Sequence, residues 1–125
     1  MWIKTSELIS PVLDWAVAKA LNLNLIKNPF RFSHGSESGW WIDKGIAFQK
    51  IGPRGFHPST NWSQGGPIIE QEKIEFSWED KQTICTARVE ISPQGMACAE
   101  GSTPLIAAMR CLVASKLGEE IEVPE

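Results

Sequence analysis

Apolar residues change their spacing several times along this chain, and each change marks an element. Leu13, Ala16, Val17, Ala20 and Leu21 recur at helical spacing and would line one buried face, with Trp15 and Lys19 toward its edge or outside. Ser10-Pro11 stands just ahead as an N-cap followed by proline in the first helical position, so a helix is predicted from there to about Leu21. Before it, Trp2 to Lys4 reads as a short edge strand. Between Asn22 and Thr60 glycine and proline interrupt short apolar pieces, which predicts loops carrying short strands. Phe30/Phe32 and Trp40/Ile42 repeat with period two, and residues 46–51 read as a strand returning from the Asp43-Lys44-Gly45 turn.

Pro67 reads as the first residue of a short helix reaching about Glu72, with Ile68 and Ile69 pointing inward. A strict alternation follows: Ile74, Phe76 and Trp78, a turn over residues 79–82, then Cys85, Ala87, Val89 and Ile91. That pattern predicts a meander with one buried face, whose third strand, Met96 to Glu100, comes after a Pro93-Gln94-Gly95 turn. The clearest element is last. Thr103 as N-cap, Pro104 in the first position and Gly118 as the stop bound a helix through Leu117, with Leu105, Ala108, Met109, Leu112, Val113, Lys116 and Leu117 on its inner stripe. The acidic tail from Glu119 to Glu125 reads as frayed. Together these elements predict an α/β (α+β) domain: one layered unit over residues 1–125, a small, mostly antiparallel sheet covered by the N-terminal and C-terminal helices on its two faces, and a variable loop region at 22–58.

Composition narrows the class. A length of 125 residues, 42% hydrophobic content and 22% charge suit one soluble core and argue against disorder or a membrane span. The apolar start Met1-Trp2-Ile3 gives way at once to Lys4, Thr5, Ser6 and Glu7, too short for an export signal, so a cytoplasmic location is expected. A net charge of −3 weighs against a broad nucleic-acid-binding face but leaves room for a local basic pocket. Cys85, Cys98 and Cys111 are odd in number and widely spaced, which fits small core residues better than disulfides or metal ligands.

Three segments carry a resemblance. They are Lys4-Thr5-Ser6-Glu7-Leu8 with Leu13-Asp14-Trp15-Ala16-Val17-Ala18, then Pro58 through Glu70 with its Trp62-x-Gln64-Gly65-Gly66-Pro67 motif, then Gly101 through Cys111 with Val113-Ala114-Ser115-Lys116-Leu117-Gly118. In order and spacing they resemble the NinX-like family of small proteins of tailed phages and prophages, related to a phage alpha-beta-alpha sandwich domain. Residues 23–56 depart from the usual family pattern. The resemblance implies an accessory phage protein, acting inside an infected bacterium and dispensable for building the particle; it adds no substrate.

The residues themselves speak of binding more than of chemistry. His34 and His57 lie in no metal-ligand spacing, and neither a glycine-flanked nucleophile nor a phosphate-binding loop is present, so no enzyme activity, cofactor or metal is expected. Trp62 with Asn61, Gln64, Gly65 and Gly66 reads either as a pocket floor, the indole stacking on a flat group beside bare backbone, or as a tight turn with the indole in the core. Arg54, His57 and Ser59 precede it on a glycine- and proline-rich loop. Arg110, off the last helix's stripe, suits a phosphate or carboxylate, or an ion pair with Asp14 or Glu70. The expected function is a phage accessory protein that binds a small anionic ligand, a nucleotide signal by preference, to counter host defence. The alternative is a protein-interaction module using Trp40, Trp41, Phe48 and Phe56 against a host or phage protein. A homo-oligomer is compatible with either.

Overall fold

In the computed structural model, which describes residues 1–29, 39–79, 83–91 and 95–124, the last helix organises the rest. The described residues form a mixed α+β fold of three α-helices and three small antiparallel sheets. Helix α3 (Pro104–Leu117) is capped by the Thr103 side chain, which accepts from the Ile106 N–H. It lies against β6 (Cys85–Ile91) and β7 (Gly95–Gly101), and α1 (Val12–Ala20) packs on it in turn. Wedged between sheet and helix, α3 buries Leu105, Ala107, Ala108, Met109, Cys111, Leu112 and Val113, a wider face than the predicted stripe. A helix apolar over most of its surface belongs inside, which is why this one is central.

Helices on both sheet faces were expected; the layers instead run sheet, α3, α1. Strand β5 (Glu75–Trp78) pairs with β6 as Phe76↔Ala87 and Trp78↔Cys85, and β6 with β7 as Ala87↔Ala99, which puts these residues on the face toward α3. The opposite face carries Glu75, Ser77, Thr86, Arg88, Glu90 and Cys98, with Glu75 and Arg88 3.7 Å apart. Covering that face would strand its charges away from water, so it stays open. Phe76 and Trp78, expected to be buried, remain exposed, because β5 is an edge strand and α3 sits over β6 and β7.

Further corrections concern the ends. Trp15 is buried, packed edge to face on Trp40, and not at the helix edge. Glu120–Glu122 forms β8, paired with β1 (Trp2–Lys4), and Ile121 and Val123 are buried; the tail is therefore stitched down, helped by the Thr5 hydroxyl donating to the Gly118 carbonyl at 2.7 Å. A strand not anticipated, β2 (Leu25–Lys27), follows the left-handed Asn22 that ends α1 and pairs with β3 (Trp40–Asp43), which pairs with β4 (Phe48–Lys50). The Phe30/Phe32 repeat, His34 and most of the 79–82 and 93–95 turns lie outside the described residues.

Cys85 and Cys111 are core residues as expected, but Cys98 is exposed on the open sheet face. Burial raises the Cys85 thiol pKa and pushes that of Cys111 up to about 12. In a thiol-reagent titration of the folded chain near neutral pH, Cys98 is expected to react promptly and the other two only on unfolding. Because both buried thiols ionise more easily in the unfolded chain, they contribute stability below the ordinary thiol pKa of 9.0, and it is lost as pH climbs above that value.

A basic recess between a hairpin and a clasped loop

Residues 48–64 build the site. Alternation in the β3–β4 hairpin sets Trp41 opposite Lys50 and Asp43 opposite Phe48 on one face, while Ile42 and Ile51 turn into the core. Beyond Lys50 the chain doubles back on itself. Phe56 N–H donates to the Lys50 carbonyl at 2.7 Å, Gly52 N–H to the Phe56 carbonyl at 3.0 Å, and Gly55 N–H to the Gly52 carbonyl at 3.0 Å. Gly55 is required there, since a Cβ would run into the Lys50 carbonyl, and Gly52 has φ +143°, a region side chains avoid. Buried Ile51 and Phe56 anchor the loop's two legs and leave Pro53 and Arg54 at its exposed tip.

Gln64 clasps this loop from the side. Its Oε1 accepts from the His57 N–H at 2.7 Å and its Nε2 donates to the Gly55 carbonyl at 2.8 Å. The His57 ring lies 2.8 Å from that carbonyl through Nδ1, so Nδ1 carries the proton that the carbonyl accepts. Farther along, the buried Asp14 carboxyl accepts from the Ser59 N–H at 2.9 Å and from the Ser10 hydroxyl at 2.9 Å, tying the loop's exit to α1.

Helix α2 (Trp62–Glu72) begins five residues before Pro67, which lies inside it. The N-cap is Asn61, whose side chain accepts from the Gln64 N–H at 3.1 Å. Trp62, Gly65 and Gly66 are therefore helix residues and not a turn ahead of one. Gly65 is buried where a Cβ would meet Leu105 Cδ2 at 2.5 Å and the Pro58 carbonyl at 2.6 Å; at Gly66 the nearest contact would be an ordinary 3.9 Å. Trp62 is 54% exposed and meets Phe76 with ring centroids 6.3 Å apart, so it neither floors a recess nor fills the core.

What opens instead is a recess of about 850 Å³ one step up the chain, walled by Trp41, Phe48, Lys50, Arg54, His57 and Gln64 together with the glycine loop. None of its lining residues is an aspartate or glutamate, although the chain is net negative. Lys50 Nζ stands 5.9 Å from the Trp41 ring centroid. Of the residues picked out beforehand, the structure brings Arg54, His57 and Gln64 together here and sets Ser59, Asn61, Trp62, Gly65, Gly66 and Arg110 elsewhere. Arg110 pairs with neither Asp14 nor Glu70: its guanidinium donates to the carbonyls of Leu8 and Glu100, both at 2.9 Å, and burial lowers its pKa. Lys50 and Gln49 were missed: a turn over Asp43-Lys44-Gly45 with a strand from Ile46 would have set Trp41 opposite Ala47. The loop instead runs over 44–47, with Lys44 N–H donating to the Ala47 carbonyl at 2.9 Å and Ile46 exposed, and β4 starts at Phe48, which brings Lys50 opposite Trp41.

Among the described residues, no group of three or more His, Cys, Asp or Glu is placed to hold a metal ion, and no helix is long and apolar enough to cross a membrane. The family model described as Bacteriophage P22, NinX, matches residues 4–116. The chain belongs to the NinX family. That match takes in the hairpin, the clasped loop, α2 and α3, and stops short of β8. The NinX assignment thus covers all of the recess. A search of curated proteins finds no match to the chain.

Proposed function

We propose that this NinX-family protein is a non-enzymatic phage accessory protein that binds a small anionic ligand with a flat ring, a nucleotide signal by preference, and withholds it from a defence system in the host cytoplasm. One observation carries the reading: a recess lined by Lys50, Arg54 and His57, with ring surfaces from Trp41 and Phe48 and no carboxylate, in an acidic chain. A guanidinium suits phosphate oxygens, and an indole face suits a base. The recess volume falls within the range of small-molecule sites. The test is a melting-temperature panel of cyclic and linear nucleotides. At least one phosphorylated member should raise the midpoint, as a ligand bound only to the fold must. Arg54→Ala, at an exposed loop tip, should weaken that response by about tenfold while leaving the unliganded midpoint in place. A flat response across the panel removes the reading.

A second reading has its own observation. Of the patch first suspected of docking a protein, Phe56 is buried and Trp40 packs on Trp15, while Phe48 stays exposed; Trp62, Phe76 and Trp78 lie exposed at the sheet edge as well. Exposed aromatics of this kind anchor protein partners. It is favoured if the nucleotide panel stays silent and a stoichiometric host or phage protein is lost on Trp62→Ala.

A further inference from the structure

The β5–β6–β7 sheet has two edges, and only one of them is guarded. Glu79 N–H donates to the Ile84 carbonyl at 3.0 Å, which fixes the phase of the ladder. Hydrogen-bonded positions alternate in an antiparallel pair, so Glu75, Ser77 and Glu79 turn their backbone groups toward β6, while Phe76 and Trp78 turn theirs outward. By the same alternation Glu100 points its carbonyl outward from β7, and there the Arg110 guanidinium covers it at 2.9 Å. Phe76 and Trp78 have no such cover. Among the described residues nothing bonds to their outward N–H and C=O groups, and all four residues of β5 are exposed. An edge strand with two exposed aromatics and neither proline nor lysine is the kind that recruits another strand.

We propose that β5 pairs with β5 of a second copy of this chain, antiparallel about a two-fold axis at Phe76, which joins the two three-stranded sheets into one. Charge selects the register. Of the two registers centred in mid-strand, the one at Ser77 would set Glu75 opposite the second copy's Glu79, like charge against like. Centring on Phe76 sets Glu75 opposite Ser77 and brings Glu79 toward Lys73, which precedes the strand. Phe76 then meets its own counterpart on the axis, and Trp78 covers the second copy's Ile74, on the face where Trp62 already touches Phe76. Outward N–H groups of Phe76 and Trp78 gain the acceptors they lack. The pairing uses up the bare edge of both copies and leaves the Arg110-covered edge of β7 at either end, so the assembly closes as a dimer and does not grow. The recess shares no residue with β5.

The test combines sedimentation equilibrium of the full chain with amide hydrogen exchange at low and high protein concentration. An interface this small is a weak one, so the dimer should form between about 10 μM and 1 mM. On dimerisation the N–H groups of Phe76 and Trp78 should exchange about tenfold more slowly, while those of Ser77 and Glu79, which face β6 in either state, should not change. That alternation is read on the wild-type chain and needs no variant to fold. Phe76→Pro removes an outward donor from an edge strand, where proline is tolerated, and should give a folded monomer. Trp2→Ala, which removes an exposed ring on β1, should dimerise like the wild type. Glu79→Lys should weaken association by about fivefold, and adding Lys73→Glu should restore it. A dimer that survives Phe76→Pro, exchange that slows equally at Ser77 and Phe76, or a charge swap that restores nothing would each overturn the proposal. So would a chain still monomeric at about 1 mM, which would leave this edge to a foreign protein.

Discussion

Asp14→Ala is expected to destabilise the fold by about 3 kcal/mol, because a buried backbone donor loses a carboxyl acceptor and nothing nearby replaces it. Asp14 has no exposed surface and holds both the Ser59 N–H and the Ser10 hydroxyl. Its removal frees the junction where the loop that walls the recess meets α1. Asp14→Asn keeps one carbonyl oxygen for Ser59 and should lose roughly half as much. Ser59→Ala gives the contrast: its N–H still reaches Asp14, while its buried hydroxyl has no partner among the described residues, so stability should hold or rise slightly. Urea unfolding of the three variants, read as midpoints at constant slope, orders them. Equal losses for Asp14→Ala and Ser59→Ala would show that the carboxyl is not what holds the loop.

The adjacent glycines of α2 should respond very differently. At Gly65 a methyl group collides with the Pro58 carbonyl and Leu105, and backbone cannot step aside as a side chain can, so Gly65→Ala should cost about 2–3 kcal/mol. At Gly66 the added carbon meets only ordinary contact beyond its chain neighbours, but the Pro67 ring that follows disfavours a helical side-chain-bearing residue there, which offsets alanine's helix preference, so Gly66→Ala should change stability by less than about 1 kcal/mol. Thermal melts of the two single variants decide it. A neutral Gly65→Ala would mean that α2 does not approach Pro58 as closely as described.

How far the sequence could be read follows from which force acted at each place. Helix α3 was legible in detail because its cap, its first proline, its apolar positions and its final glycine all lie within the element. The three-stranded meander was legible from its own alternation, and α1 from its apolar spacing but not at its start, where Pro11 and not Ser10 is the N-cap, no side chain caps it, and the Ser10 hydroxyl donates to Asp14 instead. Misreadings arose where two local signals competed. Pro67 suggested a helix start, but the Asn61 side chain caps the Gln64 N–H and starts the helix earlier, with Gly65 fitted against Pro58. Phe76 and Trp78 alternate like core residues, yet burial there depends on where α3 ends up across the sheet, which periodicity does not encode. The closing acidic residues look unstructured until Trp2–Lys4 is seen beside them, a pairing across the whole chain.

The site was half legible. Glycines, a proline, Arg54 and His57 on one loop were enough to draw attention to it. What escaped notice is that Gln64 reaches back to clasp that loop and that the hairpin register brings Lys50 to its mouth. Asn61 and Gln64 seemed to want a ligand because their backbone partners lie three, seven and nine residues away. Both amides are occupied, Gln64 in clasping the loop and Asn61 in capping α2.

Calorimetric titration of phosphorylated nucleosides into the wild-type chain and Arg54→Ala, at low and high salt, bears most directly on that arrangement. Saturable binding in the wild type that weakens with salt and by about tenfold in the variant is the expected result. Binding of equal strength in both proteins, or no heat from any phosphorylated nucleoside, would contradict it.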